Sequence, residues 1–97
     1  MLDEVIMSNE IKLPENLTIH HIETHFNELN RLFNDAGDEI IMEASDIETI
    51  DTAGLQTLLI LIKNASEDGK KIAWLNPSDI LKHSADKLGL TQDLLLS

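Results

Sequence analysis

The chain has 97 residues, no cysteine, and 18 acidic against 7 basic side chains, which gives a net charge of −11. Without cysteine it can form no disulfide, no cysteine-ligated zinc site and no thiol nucleophile. The negative charge would repel nucleic acids and anionic membrane surfaces, so neither is expected as a direct partner. The negative charge would attract a basic protein surface. The alternative interpretation is that the charge only keeps the protein soluble.

Length and hydropathy predict a single domain spanning residues 1–97, since no linker-like stretch divides the chain. The longest apolar run is Leu58–Ile62, far short of the roughly 20 residues that cross a bilayer. The acidic N-terminus lacks the basic region of a signal peptide. We therefore expect a cytoplasmic protein without direct membrane insertion.

The first third of the chain predicts a strand and then a helix. Residues 1–8 have no clean period and predict either a frayed end or a short edge strand. Asn9–Leu13 alternates apolar and polar residues as a half-buried strand does, and Pro14 ends it. Thr18 is predicted to cap a helix. The apolar face of that helix has spacings of 3 and 4 and comprises Ile19, Ile22, Phe26, Leu29 and Phe33.

A second strand and helix follow. Glu39–Ala44 predicts a strand with Ile40 and Met42 on its buried face. The second helix should begin at Thr52 or Ala53 and run to about residue 68, where a glycine ends it. Its predicted core face comprises Leu55, Leu58, Leu59, Ile62 and Ala65.

The last third predicts a third strand and helix. Lys70–Asn76 carries apolar residues on both faces, which indicates a central strand covered on each side. Residues 76–79 start a helix whose predicted buried stripe comprises Ile80, Leu81, Ala85 and Leu88, and Leu90–Leu96 follows as a last strand or a packed tail. The alternation of strands and helices predicts an α/β domain, with a mixed, largely parallel sheet of about four strands and three main helices.

Two histidines are the strongest candidates for metal ligands. His21 and His25 lie one helical turn apart, and Glu28 is the carboxylate that this spacing adds. The zinc-protease pattern requires Glu directly after the first histidine, where Ile22 stands. Solvated side chains are the favoured interpretation, so we assign no metal site. We also assign no catalytic residue and no cofactor, because no nucleophile motif or glycine-rich phosphate loop occurs.

The junction Asp51–Leu55 joins the second strand region to the second helix. The Thr52 hydroxyl is predicted to cap this helix and, at an exposed helix start, to remain accessible. Phosphorylation there would add nearly two negative charges beside Asp51 and repel a packed partner. On the outer face of the second helix, Gln56, Thr57 and Ile60 extend this surface. Because Ile60 is apolar on a face that should be exposed to solvent, it favours a contact with another protein.

The segment Ile50–Leu55 with the leucine-rich helix after it resembles the signature of STAS domains, named for sulfate transporters and anti-sigma factor antagonists. Leu13–Leu17 lies where the family has a second landmark, a turn before the first helix, although its sequence there is degenerate, and Leu88–Leu90 matches the usual end of the third helix. The resemblance implies a non-catalytic binding module. It also implies that Thr52 occupies the position that a partner kinase phosphorylates in anti-sigma antagonists.

The resemblance leaves several pathways open. The Asp-Thr-Ala form is similar to stand-alone STAS proteins, either chemotaxis-associated or the small subunit of a lipid-asymmetry ABC transporter, and Gln56 and Trp74–Pro77 favour the chemotaxis group. We expect a regulatory adaptor whose partner is a kinase, anti-sigma factor, chemotaxis protein or, as the alternative, the ABC ATPase. A metal-binding or enzymatic role ranks third. The expected partner-binding residues are Asp51, Thr52, Ala53, Gly54, Gln56, Thr57 and Ile60.

Overall fold

The computed structural model describes residues 10–96, so the expectation for residues 1–8 lies outside the described part of the chain. The elements are β1 Glu10–Lys12, β2 Asn16–Leu17, α1 Ile22–Asp35, β3 Glu39–Glu43, β4 Thr49–Ile50, α2 Thr52–Glu67, β5 Lys71–Leu75 and α3 Asp79–Lys87. No helix among these combines the length and the apolar character required to cross a bilayer.

The strands form two parallel sheets. The larger has the order β1-β3-β5, and the smaller pairs β2 with β4. Within residues 10–96 the predicted α/β class and the three helices are confirmed, while the single sheet of about four strands becomes five strands in two sheets. β2 and β4 contain two residues each, which is too short for a hydrophobic alternation to reveal them.

The larger sheet has one covered face and one open face. Ile11, Met42 and Trp74 are in register and point to the covered face, where Met42 is fully buried. Side chains of all three helices complete the same core, among them Leu29, Phe33, Leu58, Leu61, Ile62, Leu81 and Ala85. The predicted burial of Ile40 and Met42 is confirmed.

The prediction that the third strand is central is wrong. Within residues 10–96, β5 pairs with β3 alone, and β3 is the middle strand. Ala73 and Leu75 lie on the open face and are exposed. Residues 90–96 form turns instead of a strand, and the Trp74 indole N–H donates to the Leu94 carbonyl at 2.8 Å. This tail therefore packs on the covered side of β5, where Leu94 is fully buried.

Two further helix predictions require correction. Thr18 does not cap α1: its carbonyl accepts the His21 N–H at 2.9 Å in a preceding turn, and α1 begins at Ile22. Ile19 lies in that turn and is 60% exposed. In α3, Ser78 is the N-cap, but the predicted buried residues Ile80 and Leu88 are 45% and 48% exposed. Leu88 lies one residue beyond the helix, where its helical periodicity no longer applies.

Lys70 stabilises the end of α1 from outside that helix. Its ammonium group donates to the carbonyl oxygens of Phe33 at 2.6 Å, Ala36 at 3.0 Å and Asn34 at 3.4 Å. α1 has no basic residue in its own last turn. Lys70 therefore supplies the positive charge and the donors that the carboxyl end of a helix favours.

We expect Lys70→Met to lower the free energy of unfolding by about 1–3 kcal/mol, because several carbonyls lose a charged donor. Lys71→Met is the matched control, since it removes the same charge from the adjacent, exposed side chain. Urea denaturation of the three proteins measures the effect. Equal stability of the two variants would contradict the assigned role of Lys70.

Candidate functional site

The predicted junction lies where the smaller sheet meets α2. β4 pairs with β2 through Thr49↔Asn16 and Leu17↔Ile50, and the chain then enters α2 directly. The Thr49 hydroxyl donates to the Asn16 side-chain oxygen, and the Asp51 N–H donates to the Leu17 carbonyl at 3.2 Å. The start of α2 is thus held by β2, a segment more than 30 residues earlier in the chain.

Asp51, and not Thr52, caps α2. Its Oδ1 atom accepts the Gly54 N–H at 3.0 Å, and its Oδ2 atom accepts the Ile19 N–H at 2.9 Å. The carboxylate therefore closes the first turn of α2 and also holds the turn before α1. The prediction that the Thr52 hydroxyl provides the cap is wrong, because aspartate is as good an N-cap and lies one residue earlier.

These hydrogen bonds set the charge state of Asp51. Burial taken alone would raise the pKa of its carboxyl, but the backbone amides of Ile19, Gly54 and Ala53 outweigh it and hold the pKa below the usual value. A carboxylate with a lowered pKa is a weak base. Asp51 is therefore suited to structure and charge at this position and poorly suited to activating the neighbouring hydroxyl.

Gly54 permits a close approach between α2 and β2. A Cβ atom at this position would lie 2.1 Å from the Leu17 carbonyl oxygen and 2.9 Å from the Ile50 Cγ1 atom. Real side chains do not tolerate such distances, so the residue must be glycine for α2 to pack here. Gly54 and Thr57, both predicted to contact a partner, are buried, and Thr57 is only 8% exposed.

The accessible part of the predicted surface is a stripe along α2. Thr52, Gln56 and Ile60 follow one another at intervals of four residues and are all exposed, Ile60 by 49%. Ala53 is half-buried beside them. We call Thr52, Gln56 and Ile60 the α2 stripe. It presents a hydroxyl, an amide and an apolar side chain on one rigid helix.

A groove beside Thr52 contains residues that the sequence did not indicate. It is an open depression of about 250 Å³ lined by Ile50, Asp51, Thr52, Leu55, Ser84, Lys87 and Leu88. We call it the Thr52 groove. Its far wall is the end of α3, which the sequence pattern assigned partly to the core. The sequence did contain one signal for this: Gly89 directly follows Leu88 and predicts a helix end there. A residue at a helix end often lies outside the buried stripe of its helix.

The histidines do not assemble into a recognisable metal site. His20 and His21 are exposed, and the rings of His21 and His25 meet edge to face with centroids 6.2 Å apart. Glu28 is exposed on the same helix. Within residues 10–96, no group of three or more histidine, aspartate or glutamate side chains is placed to hold a metal ion.

A second polar cluster lies at the carboxyl ends of β3 and β5. The Glu43 carboxylate accepts the Ser45 N–H at 3.0 Å, the Ser45 hydroxyl at 2.9 Å and the Asn76 side-chain amide at 3.4 Å. The donors from Ser45 lower the pKa of Glu43 most. Because its hydrogen bonds run to its own neighbours, this cluster braces the loop after β3 instead of presenting a free reactive group.

Comparison with known protein families identifies the family of the chain. The family model of the STAS domain matches residues 7–97 of the chain. A comparison with curated proteins gives no match. The matched region includes both sheets, all three helices, the capped start of α2 and the Thr52 groove.

We expect Gly54→Ala to lower the free energy of unfolding by about 1–3 kcal/mol, because the added methyl group would overlap the Leu17 carbonyl. Gln56→Ala is the control on the exposed side of the same helix, with an expected change within about 0.5 kcal/mol. Chemical denaturation distinguishes them. Stabilisation by Gly54→Ala, the usual result in an open helix, would contradict the close approach.

We expect Asp51→Ala to lower the free energy of unfolding at pH 7 by about 1–2 kcal/mol through loss of the cap. Because folding lowers the pKa of Asp51 below 3.8, its ionised form stabilises the native state above that pH. The contribution is lost as the pH falls through the folded pKa. The difference in free energy of unfolding between wild type and Asp51→Ala should therefore become smaller in acid.

Denaturation of wild type and Asp51→Ala from pH 7 down to strongly acidic pH measures this difference. Asp86→Ala removes one exposed carboxylate from α3 and serves as the charge-matched control. A stability difference between wild type and Asp51→Ala that stays constant in acid would contradict a role for the charge of Asp51.

Proposed function

Because the chain belongs to the STAS family, whose domains are generally non-catalytic regulatory modules that commonly interact with other proteins, we propose that it is an adaptor that binds a partner protein at the start of α2. The observation that carries this proposal is the exposed α2 stripe beginning at a capped and tightly anchored helix start. Such a surface is already ordered before binding, which reduces the entropy lost in the complex.

The residues of the proposed site divide into two roles. Asp51, Gly54 and Thr57 hold the helix start in place, the first through hydrogen bonds and the other two through burial. The α2 stripe supplies the contacts. An exposed isoleucine between polar side chains is typical of a contact that gains by excluding water, while the hydroxyl and amide fix orientation.

A non-catalytic role is also proposed from the chemistry of the junction. Both oxygens of the Asp51 carboxylate are engaged by backbone amides, and its lowered pKa makes it a weak base. The proposed adaptor requires no cofactor and no metal.

We further propose that phosphorylation of Thr52 switches the interaction. The side chain is exposed, and its hydroxyl is not committed to capping because Asp51 has that role. A phosphate would add nearly two negative charges at the first position of α2, where the helix dipole tolerates them. The bulk of the phosphate, and the cost of desolvating its charges beside the Asp51 carboxylate, would exclude a partner that packs on the stripe.

The proposed setting is cytoplasmic signalling, either chemotaxis-associated or of the anti-sigma-antagonist kind. The alternative is an accessory subunit that contacts the ATPase of a lipid-asymmetry transporter. The net charge of −11 supports a partner with a basic docking surface. The identity of the captured partner distinguishes these settings.

We expect Thr52→Glu to weaken binding of the native partner at least about tenfold, because the longer side chain protrudes into the contact surface and its carboxylate would have to be desolvated there. Thr52→Ala should retain binding within about threefold, since the cap on Asp51 remains. Capture from lysate, followed by calorimetry with the purified partner, measures both. Thr24→Glu, which changes an exposed threonine in the first turn of α1, is the matched control.

Unchanged affinity of Thr52→Glu would contradict both the proposed contact at Thr52 and its switching. A large loss in Thr52→Ala together with Thr52→Glu would show that the hydroxyl itself is bound, which would retain the site and reject the simple charge switch.

A further inference from the structure

The outer edge of β5 carries backbone groups that have no partner in the described part of the chain. The Lys71 N–H donates to the Asp38 carbonyl at 2.7 Å, so Lys71 and every second residue after it direct their backbone groups toward β3. Ile72 and Trp74 therefore direct their N–H and C=O groups outward. Among residues 10–96, no strand pairs with these groups, and the tail after α3 donates no backbone hydrogen bond to them.

The side chains of β5 are apolar at this edge and partly exposed on both faces. On the covered face, Ile72 and Trp74 are half-buried, whereas Ile40 and Met42, their neighbours in register on β3, are fully buried. On the open face, Leu75 is 38% exposed. Natural proteins protect a free sheet edge with a short strand, charged side chains or proline. β1 follows this rule, with three residues of which two are charged, but β5 has five residues and a charge only at its first.

The sequence pattern of β5 is that of a central strand. Apolar residues on both faces indicate a strand that is covered on each side, yet in the described residues β5 has β3 as its single neighbour. An additional strand at the free edge would place β5 inside a larger sheet and would account for this pattern.

We propose that β5 pairs antiparallel with β5 of a second copy of the chain, across a twofold axis at Ala73. In this register Ile72 lies opposite Trp74 of the second copy, and such pairs exchange both of their backbone hydrogen bonds. The outward groups of both strands are thereby satisfied. Ala73 lies opposite its own counterpart, and Lys71 lies opposite Leu75 of the second copy. The two three-stranded sheets then form one continuous sheet.

The side chains of β5 favour its own copy as the occupant of this edge. A β-branched Ile72 opposite an aromatic Trp74 is a favourable cross-strand pair, and the small Ala73 leaves room where the two strands meet. Lys71 is the one charged side chain of β5, and it faces an apolar residue, so no like charges lie opposite each other. The strand is thus self-complementary, as a twofold interface requires.

Net charge sets the strength of this dimer. Each copy carries −11, and salt screens the repulsion between the two copies. A single strand pair is smaller than the standard interface of about 1,600 Å². We therefore expect a reversible dimer with a Kd on the order of 100 µM that becomes tighter as salt is added. The inference goes beyond the proposed function, because β5 contributes no residue to the α2 stripe or to the Thr52 groove.

Single cysteine variants test the register, because the chain has no cysteine of its own. The two copies of Ala73 form a non-hydrogen-bonded pair with Cα atoms about 4.5 Å apart, which a disulfide can span. We expect Ala73→Cys to form a disulfide-linked dimer at least about tenfold faster than Leu75→Cys, whose two copies lie about 14 Å apart. Lys71→Cys mixed with Leu75→Cys should cross-link, because these residues lie opposite each other.

Charges placed at the axis test the dimer without a covalent bond. Ala73→Lys and Ala73→Glu each bring like charges together on an exposed position, so each should raise the Kd from sedimentation at least about tenfold. A mixture of the two variants should recover association, because opposite charges then meet. Gln56→Lys adds the same charge on α2 and should change the Kd by no more than about twofold.

Several results would overturn the inference. A wild-type protein that stays monomeric up to about 1 mM in high salt would leave the edge to a strand of another protein. Equal cross-linking of Ala73→Cys and Leu75→Cys, or a mixture of the two charge variants that stays monomeric, would reject the pairing at Ala73. Thermal unfolding checks that all variants fold, and if the charge variants do not, the cysteine comparison decides.

Discussion

The Asp51 carboxylate is the interaction on which the candidate site depends. One oxygen closes the first turn of α2, and the other holds the amide of Ile19 in a segment 32 residues away. A single side chain therefore fixes both the start of a helix and its position against the turn before α1. Because the two backbone amides also lower the pKa of this group, the interaction is strongest where the carboxylate is charged, which includes neutral pH.

Gly54 and Asp51 act together at this corner. The glycine allows α2 to approach the Leu17 carbonyl, and the Asp51 N–H donates to the same carbonyl. The helix start is consequently held against β2 by hydrogen bonds and close packing. Residues that point the other way, Thr52 and Gln56, are then exposed at a position that local motion changes little. This separation of supporting and exposed residues suits a surface that recognises another protein.

Much of the fold follows from local patterns. The alternation of apolar and polar residues through Ile40 and Met42 correctly predicts a strand and its buried face. The helical spacing of apolar residues within 55–65 predicts the bounds of α2 to within one or two residues. The smaller sheet was not predictable, because β2 and β4 are too short to show a period. Apolar residues on both faces of β5 suggested a central strand, but the outer pair, Ala73 and Leu75, is exposed at the edge.

The position of the strand-to-helix junction was predicted from the sequence, but its hydrogen bonds were not. The junction at Asp51 and Thr52 and the exposure of Ile60 were accessible from the sequence. The choice of cap was not, because the second hydrogen bond of Asp51 depends on a distant amide. The contribution of α3 was also missed: helical spacing grouped Leu88 with the buried Leu81 and Ala85, whereas α3 ends at Lys87.

The hydrogen bond from Trp74 to the Leu94 carbonyl gives the molecule a built-in optical probe. Trp74 is the one tryptophan in the sequence, and its indole N–H is bound to the tail that follows α3. Indole emission is sensitive to loss of such a bond and to entry of water. The fluorescence of this protein should therefore report both on the packing of β5 against the core and on the contact between β5 and the tail, without any attached dye.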